Sequence, residues 1–97
     1  PLSYSIIYHG GRVPIVEGNR FEIPNLIIKY PGQDIAIVGQ VRDLAFSLKA
    51  GDDILADIQG HRCEDGKTYS ISIYDESIPQ SIYLGSSLIL DNLYQDY

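Results

Sequence analysis

Few side chains in this chain are equipped for chemistry, and most lie within one stretch. His61 and Cys63 are the only histidine and cysteine close in sequence. Two residues apart on a strand, they point the same way. A thiolate–imidazole nucleophile needs the pair in contact and an electropositive setting. Glu64 and Asp65 adjoin the thiol instead, so Cys63 is expected to be an ordinary exposed cysteine. A metal site would draw on His61, Cys63, Asp57 and His9, or on Asp52, Asp53 and Asp57 for calcium. Neither set has the spacing that structural zinc or a calcium loop uses. No metal and no cofactor is expected. Asp75 and Glu76 are paired carboxylates near Asp57, but general acid catalysis needs one carboxyl desolvated in a cleft, and a turn position implies solvated acids. No nucleophile elbow, phosphate-binding loop or dinucleotide fingerprint occurs. Nothing in the sequence argues positively for an enzyme.

The eight tyrosines carry more functional promise, with two phenylalanines and no tryptophan beside them. Tyrosine combines a large apolar ring with a polar handle and is enriched at interfaces. Tyr69 is expected at the rim of the core and Tyr74 on the surface.

The element that must position these residues is a hairpin spanning Lys49 to Glu76. Asp65-Gly66 between two alternating runs is a strong signal for a type I′ turn. Centring the turn there pairs Glu64 with Lys67, Arg62 with Tyr69, Gly60 with Ile71 and Ile58 with Ile73. Those residues, with Ala56, form a mainly apolar face. The alternate pairs are Cys63 with Thr68, His61 with Ser70, Gln59 with Ser72 and Asp57 with Tyr74, a polar face.

The rest of the chain reads as short strands joined by tight turns. Tyr4, Ile6 and Tyr8 alternate with Ser5, Ile7 and His9. Gly10-Gly11 would turn the chain into Arg12–Glu17, and Gly18-Asn19 would turn it into Arg20–Ile23. These turns align Ile7, Pro14 and Ile23 as a core face, with Val16 opposite Phe21. Leu26–Tyr30 and Asp34–Val41 follow, separated by Tyr30-Pro31-Gly32-Gln33, a type II pattern expected within a longer loop or bulge. Ile35–Val38, apolar on both sides, suggests a doubly covered strand. Leu44–Leu48 is a strand, with a short helix over 42–49 as the competing reading. Beyond Pro79 the pattern weakens. Ser81–Leu84 and Ser87–Leu90 read as two short strands; alternatively Ser86 or Ser87 caps a helix through Leu88, Leu93 and Tyr94.

Together these predict a mainly β fold, a small antiparallel β-barrel or sandwich of about eight short strands, with a short C-terminal helix as an option. The 97 residues suit a single domain spanning 1–97, with 91–97 as a mobile tail. One cysteine excludes an internal disulfide framework. No apolar run approaches the roughly 18 residues of a membrane-spanning helix, and no secretory signal opens the sequence. Pro1 fits removal of an initiator methionine. A cytoplasmic location is therefore expected.

Net charge is −6 and unevenly spread. Residues 1–49 hold five bases and four acids, +1; residues 50–97 hold two bases and nine acids, −7. Such a field repels nucleic acid and anionic membranes. The expected function is a small protein-binding module of the inhibitor, immunity, adaptor or regulatory-subunit type. Its expected contact residues are Asp57, Gln59, His61, Tyr74, Asp75 and Glu76, facing a protein partner with a basic surface. Homo-oligomerisation stays open. The alternative is a small-ligand or metal-binding β-barrel, and after it a low-activity enzyme.

Overall fold

The computed structural model describes residues 4–18 and 24–97. Seven strands form: β1 Tyr4–Tyr8, β2 Gly11–Glu17, β3 Leu26–Tyr30, β4 Gln33–Gln40, β5 Ala45–Ala50, β6 Asp53–Cys63 and β7 Gly66–Ile73. A single helix among the described residues, α1 Gln80–Leu93, follows. The strands neighbour one another in chain order and every pairing is antiparallel. Twist curls this meander into a half-barrel. α1 packs on both edge strands, β1 and β7. The strand expected at Arg20–Ile23 and its Gly18-Asn19 turn fall largely outside the described residues; β2 pairs directly with β3, Ile15 opposite Ile28.

The alternation of the strands gives the sheet an apolar inner face. Ile6, Val13, Ile15, Ile28, Ile35, Ile37, Leu48 and Ile58 are buried there against Ile82, Tyr83 and Leu90. Each such side chain stabilises the fold by roughly 1.5–3 kcal/mol relative to exposure. The buried Tyr83 hydroxyl donates to the Asp75 carbonyl at 2.7 Å, which removes the cost of an unpaired polar group.

The hairpin register differs from the expected one by two residues. Cys63 pairs with Gly66, so Glu64 and Asp65 make the turn, and Ile58 lies opposite Ile71, Gln59 opposite Ser70 and Asp57 opposite Ser72. A type I′ turn centred on Asp65-Gly66 would force Asp65 itself to φ > 0. At this turn only Gly66 takes a positive φ, at 139°. A two-residue slip keeps every side chain on its face, so the apolar and polar faces survive the correction. The first hairpin turns the same way: Tyr8 pairs with Gly11, with Gly11 at φ 138°. Its core face is the reverse of the expected one. Ile6, Val13 and Ile15 are buried, while Ile7, Pro14 and Val16 point outward.

Two further expectations are corrected, and one choice between strand and helix is decided. Tyr30 pairs with Gln33, so Pro31-Gly32 is a two-residue turn without the longer loop. The strand expected at Leu44–Leu48 is present as β5, entered from a turn, and the competing helix over 42–49 does not form. Ala36 and Val38 are half-buried on the outer side, so β4 is not doubly covered.

The two strands expected at Ser81–Leu84 and Ser87–Leu90 are one helix. Ile82, Tyr83, Ser86, Ile89 and Leu90 share its buried face, the three-and-four spacing of an amphipathic helix. Ser86 and Ser87 do not cap it. They lie inside it and donate to the carbonyls of Ile82 and Leu84, both at 2.7 Å. The start has no side-chain cap; the Ile82 N–H donates to the Pro79 carbonyl at 3.0 Å. At the other end Lys67 Nζ donates to the carbonyls of Tyr94 and Gln95 at 2.9 and 2.7 Å. A cation there meets both the unpaired carbonyls and the negative end of the helix dipole.

Candidate functional site

Outward-facing residues of β5, β6 and β7 form an open polar sheet surface. Its centre is Asp57. Ser47 Oγ donates to Asp57 Oδ1 at 2.5 Å, and Tyr74 OH donates to Asp57 Oδ2 at 2.8 Å. Ser47 pairs with Asp57 because the β5–β6 ladder slips at Leu48/Lys49. Counting back from the Gly51-Asp52 turn, Ala50 meets Asp53 and Lys49 meets Ile54. An unbroken ladder would then bring Ser47 opposite Ala56. The extra residue, Leu55, resets the register, and its carbonyl accepts from the N–H groups of Tyr74 and Asp75 at 2.8 and 3.1 Å. One bulge therefore brings Ser47 to Asp57 and holds the chain leaving β7, so that Tyr74 reaches the same carboxylate.

The hydrogen bond to Asp57, and next the charge of that carboxylate, push the Tyr74 hydroxyl above the ordinary tyrosine pKa. The residue is 61% exposed, so the network holds a side chain in place without burying it. Gln59 and His61 continue the same face along β6, both exposed. Gln59 Nε2 donates to the carbonyls of Asp43 and Gly60 at 3.1 and 2.9 Å, tying β6 to the β4–β5 turn. Asp75 and Glu76 leave the face for the turn before α1. Asp75 accepts from the Ser77 hydroxyl at 2.5 Å and the Ser77 N–H at 2.9 Å. These two bonds, the hydroxyl's first, hold its carboxyl below the ordinary aspartate pKa.

Tyr69 lies on the opposite, inner face of β7. Its hydroxyl donates to Asp91 Oδ1 at 2.9 Å. Burial, and next that bond to a carboxylate, push its pKa up to about 12. Cys63 is exposed at the hairpin end, with Sγ against the Gly66 carbonyl at 3.3 Å. Among the described residues no three His, Cys, Asp or Glu side chains group as a metal site, and the one ion pair is Lys29–Asp34 at 2.9 Å.

Two features escaped the sequence reading. Ser47 as a partner of Asp57 depends on the bulge, which no residue type announces. The other is a groove of about 420 Å³ between β1 and α1, with Ser5, Ile6, Ile7, Leu84, Gly85 and Leu88 among its walls. Its signal was Leu84 and Leu88, four residues apart, but that spacing shows only once the segment is known to be helical. No helix in the described residues is long and apolar enough to cross a membrane. Compared with protein-family models, curated proteins and solved structures, the chain matches none.

Proposed function

We propose that this domain is a protein-binding module whose contact surface is the outer face of β5–β7, centred on Asp57 and Tyr74, and whose partner presents a basic surface. The observation that carries the reading is the Ser47–Asp57–Tyr74 network. It fixes a carboxylate and a half-open aromatic ring in one orientation on a sheet face that no other element of the described chain covers. Such order lowers the conformational cost of association. Asp57 retains unused acceptor positions, since each oxygen takes one hydrogen bond and a carboxylate offers about four sites. An arginine from a partner fits that chemistry. Gln59 and His61 extend the surface; the acids of residues 50–97 supply long-range steering. Asp75 serves its turn and Glu76 lies at the rim.

The small-ligand alternative has less support, because Ile, Leu, Phe and Tyr side chains fill the inside of the half-barrel. The test is affinity capture from the native host with wild type, Asp57→Lys, Tyr74→Ala and Ile7→Ser, followed by binding measurements at rising salt with the captured protein. Asp57→Lys and Tyr74→Ala should each lose the partner, Ile7→Ser should keep it, and binding should weaken as salt rises. Equal capture by all four chains overturns the surface, and a flat salt response overturns the steering.

A further inference from the structure

The turn between β4 and β5 is strained. Leu44 takes φ 53°, the one positive φ outside glycine among the described residues, and its side chain is buried. The left-handed region is unfavourable for a bulky residue, so it persists only where neighbouring groups over-determine it. Here β6 supplies those groups. The Gly60 N–H donates to the Leu44 carbonyl at 2.7 Å, Gln59 Nε2 to the Asp43 carbonyl at 3.1 Å, and Arg62 Nη2 to the Arg42 carbonyl at 2.7 Å. Gly60 also leaves the space, since a Cβ there would lie 2.8 Å from Leu44 Cβ.

Arg62 is a bridge. The same guanidinium donates through Nε to the Tyr97 carbonyl at 2.9 Å, so one planar fork grips the strained turn and the segment after α1 together. That segment, residues 94–97, lies against the strands. Tyr94 stacks on Phe46 of β5 with ring centroids 6.3 Å apart, and Tyr97 meets Tyr94 edge-on at 5.9 Å. Lys67 of β7 holds the carbonyls of Tyr94 and Gln95. The bonds to Gln95 and Tyr97 face solvent, and Tyr97 is exposed; such contacts open at the low end of a protein's stability range. We propose that residues 94–97 are a releasable strap that Arg62 couples to the β4–β5 turn. With the strap seated, the guanidinium is held on Arg42; with the strap withdrawn, the turn around Leu44 opens more often. The turn is then the two-state element that coupling of this kind requires. Its reach includes Gln59, which holds Asp43 and belongs to the contact surface proposed above, but the coupling does not rest on that reading.

Hydrogen exchange of the full chain, read amide by amide, tests this. Lys67→Met loosens the strap without touching the turn. Exchange at Tyr94 and Tyr97 should quicken. Exchange at Asp43, Leu44 and Gly60 should quicken as well, by roughly threefold or more, beyond any change in the β3–β4 ladder. Arg62→Met removes the bridge. Adding Lys67→Met to it should free the strap further and leave the turn at the Arg62→Met rate. A freed strap beside a turn as protected as in wild type overturns the proposal and makes the segment packing alone. Equal quickening throughout the sheet reports lost global stability and overturns it too. So does a strap that stays protected in Lys67→Met, or a turn that still responds to Lys67→Met once Arg62 is gone.

Discussion

The hairpins β1–β2 and β6–β7 turn alike and use their faces differently. Each closes on a glycine of nearly the same φ, Gly11 at 138° and Gly66 at 139°, paired with the residue before a two-residue turn. In β6–β7 the outer face is polar and its centre is hydrogen-bonded: Asp57, Gln59, His61, Ser70 and Ser72. In β1–β2 the outer face carries Ile7, Pro14 and Val16 beside Ser5 and Arg12, and Arg12 Nε donates to Ser5 Oγ at 3.0 Å. One hairpin separates core from surface by chemistry; the other has apolar residues on both sides. The side that faces the core is then set by α1, which rests on β1 with Gly85 against Ile6.

The largest effects should separate the two faces within each hairpin. Ile6→Ala and Ile58→Ala remove side chains that are 5% and 1% exposed, and each should cost about 2–5 kcal/mol of unfolding free energy in denaturant titrations. Their neighbours point outward, so Ile7→Ala and Gln59→Ala should stay within about 0.5 kcal/mol. If Ile7→Ala cost as much as Ile6→Ala, β1 would be facing the other way and the comparison would collapse. Next in size is the tie at the end of β7. Lys67→Met removes the ammonium that satisfies two carbonyls beyond α1 and should cost about 1 kcal/mol, with faster amide exchange at 94–97 as its local signature.

These faces also show how much of the fold was legible in the sequence. Alternation in Ile58-Gln59-Gly60-His61 against Ser70-Ile71-Ser72-Ile73 is unambiguous, and it survived a wrong turn centre because a slip of two conserves sidedness. Ile6-Ile7 and Pro14-Ile15-Val16 offer no such contrast, and long-range packing decided them. The helix was hidden by its own composition. Gly85, Ser86 and Ser87 interrupt the apolar count, yet both serines are buried with hydroxyls satisfied by the preceding turn. Of the candidate site, Asp57 near Tyr74 was readable from the two strands. Ser47 was not, because its position follows from a bulge at Leu55.

A smaller effect distinguishes the inner face of β7 by pH. Tyr69 holds its proton to about pH 12 in the folded chain, against an ordinary value near 10 when unfolded. The folded state therefore binds more protons between those values, and stability falls as pH rises through them. The contribution is whole below about pH 10 and lost through about pH 12. Burial raises Tyr83 and Tyr94 in the same direction, so Tyr69→Phe should flatten the alkaline limb of the stability curve without abolishing it. An unchanged limb would mean that the Tyr69–Asp91 bond makes no contribution in solution.

The smallest effect belongs to the outer face of the same strand pair, where Tyr74 makes the same kind of bond without burial. Its hydroxyl is raised chiefly because it donates to Asp57 and faces that charge. Asp57→Asn removes the charge and keeps the shape, so the Tyr74 titration should return toward the ordinary tyrosine range. The unfolding midpoint at neutral pH should not move, since exposed charged and polar pairs add little to stability. Ser72 acts on Tyr74 in the opposite, lowering direction, so Ser72→Ala should raise the titration further. Following the Tyr74 ring by NMR in wild type, Asp57→Asn and Ser72→Ala reads both shifts directly. Opposite shifts from two substitutions on one open face require an ordered Asp57–Tyr74 pair in solution. Equal titrations in all three chains would show a ring that samples the solvent freely, and would leave the polar hairpin no more ordered than its apolar counterpart.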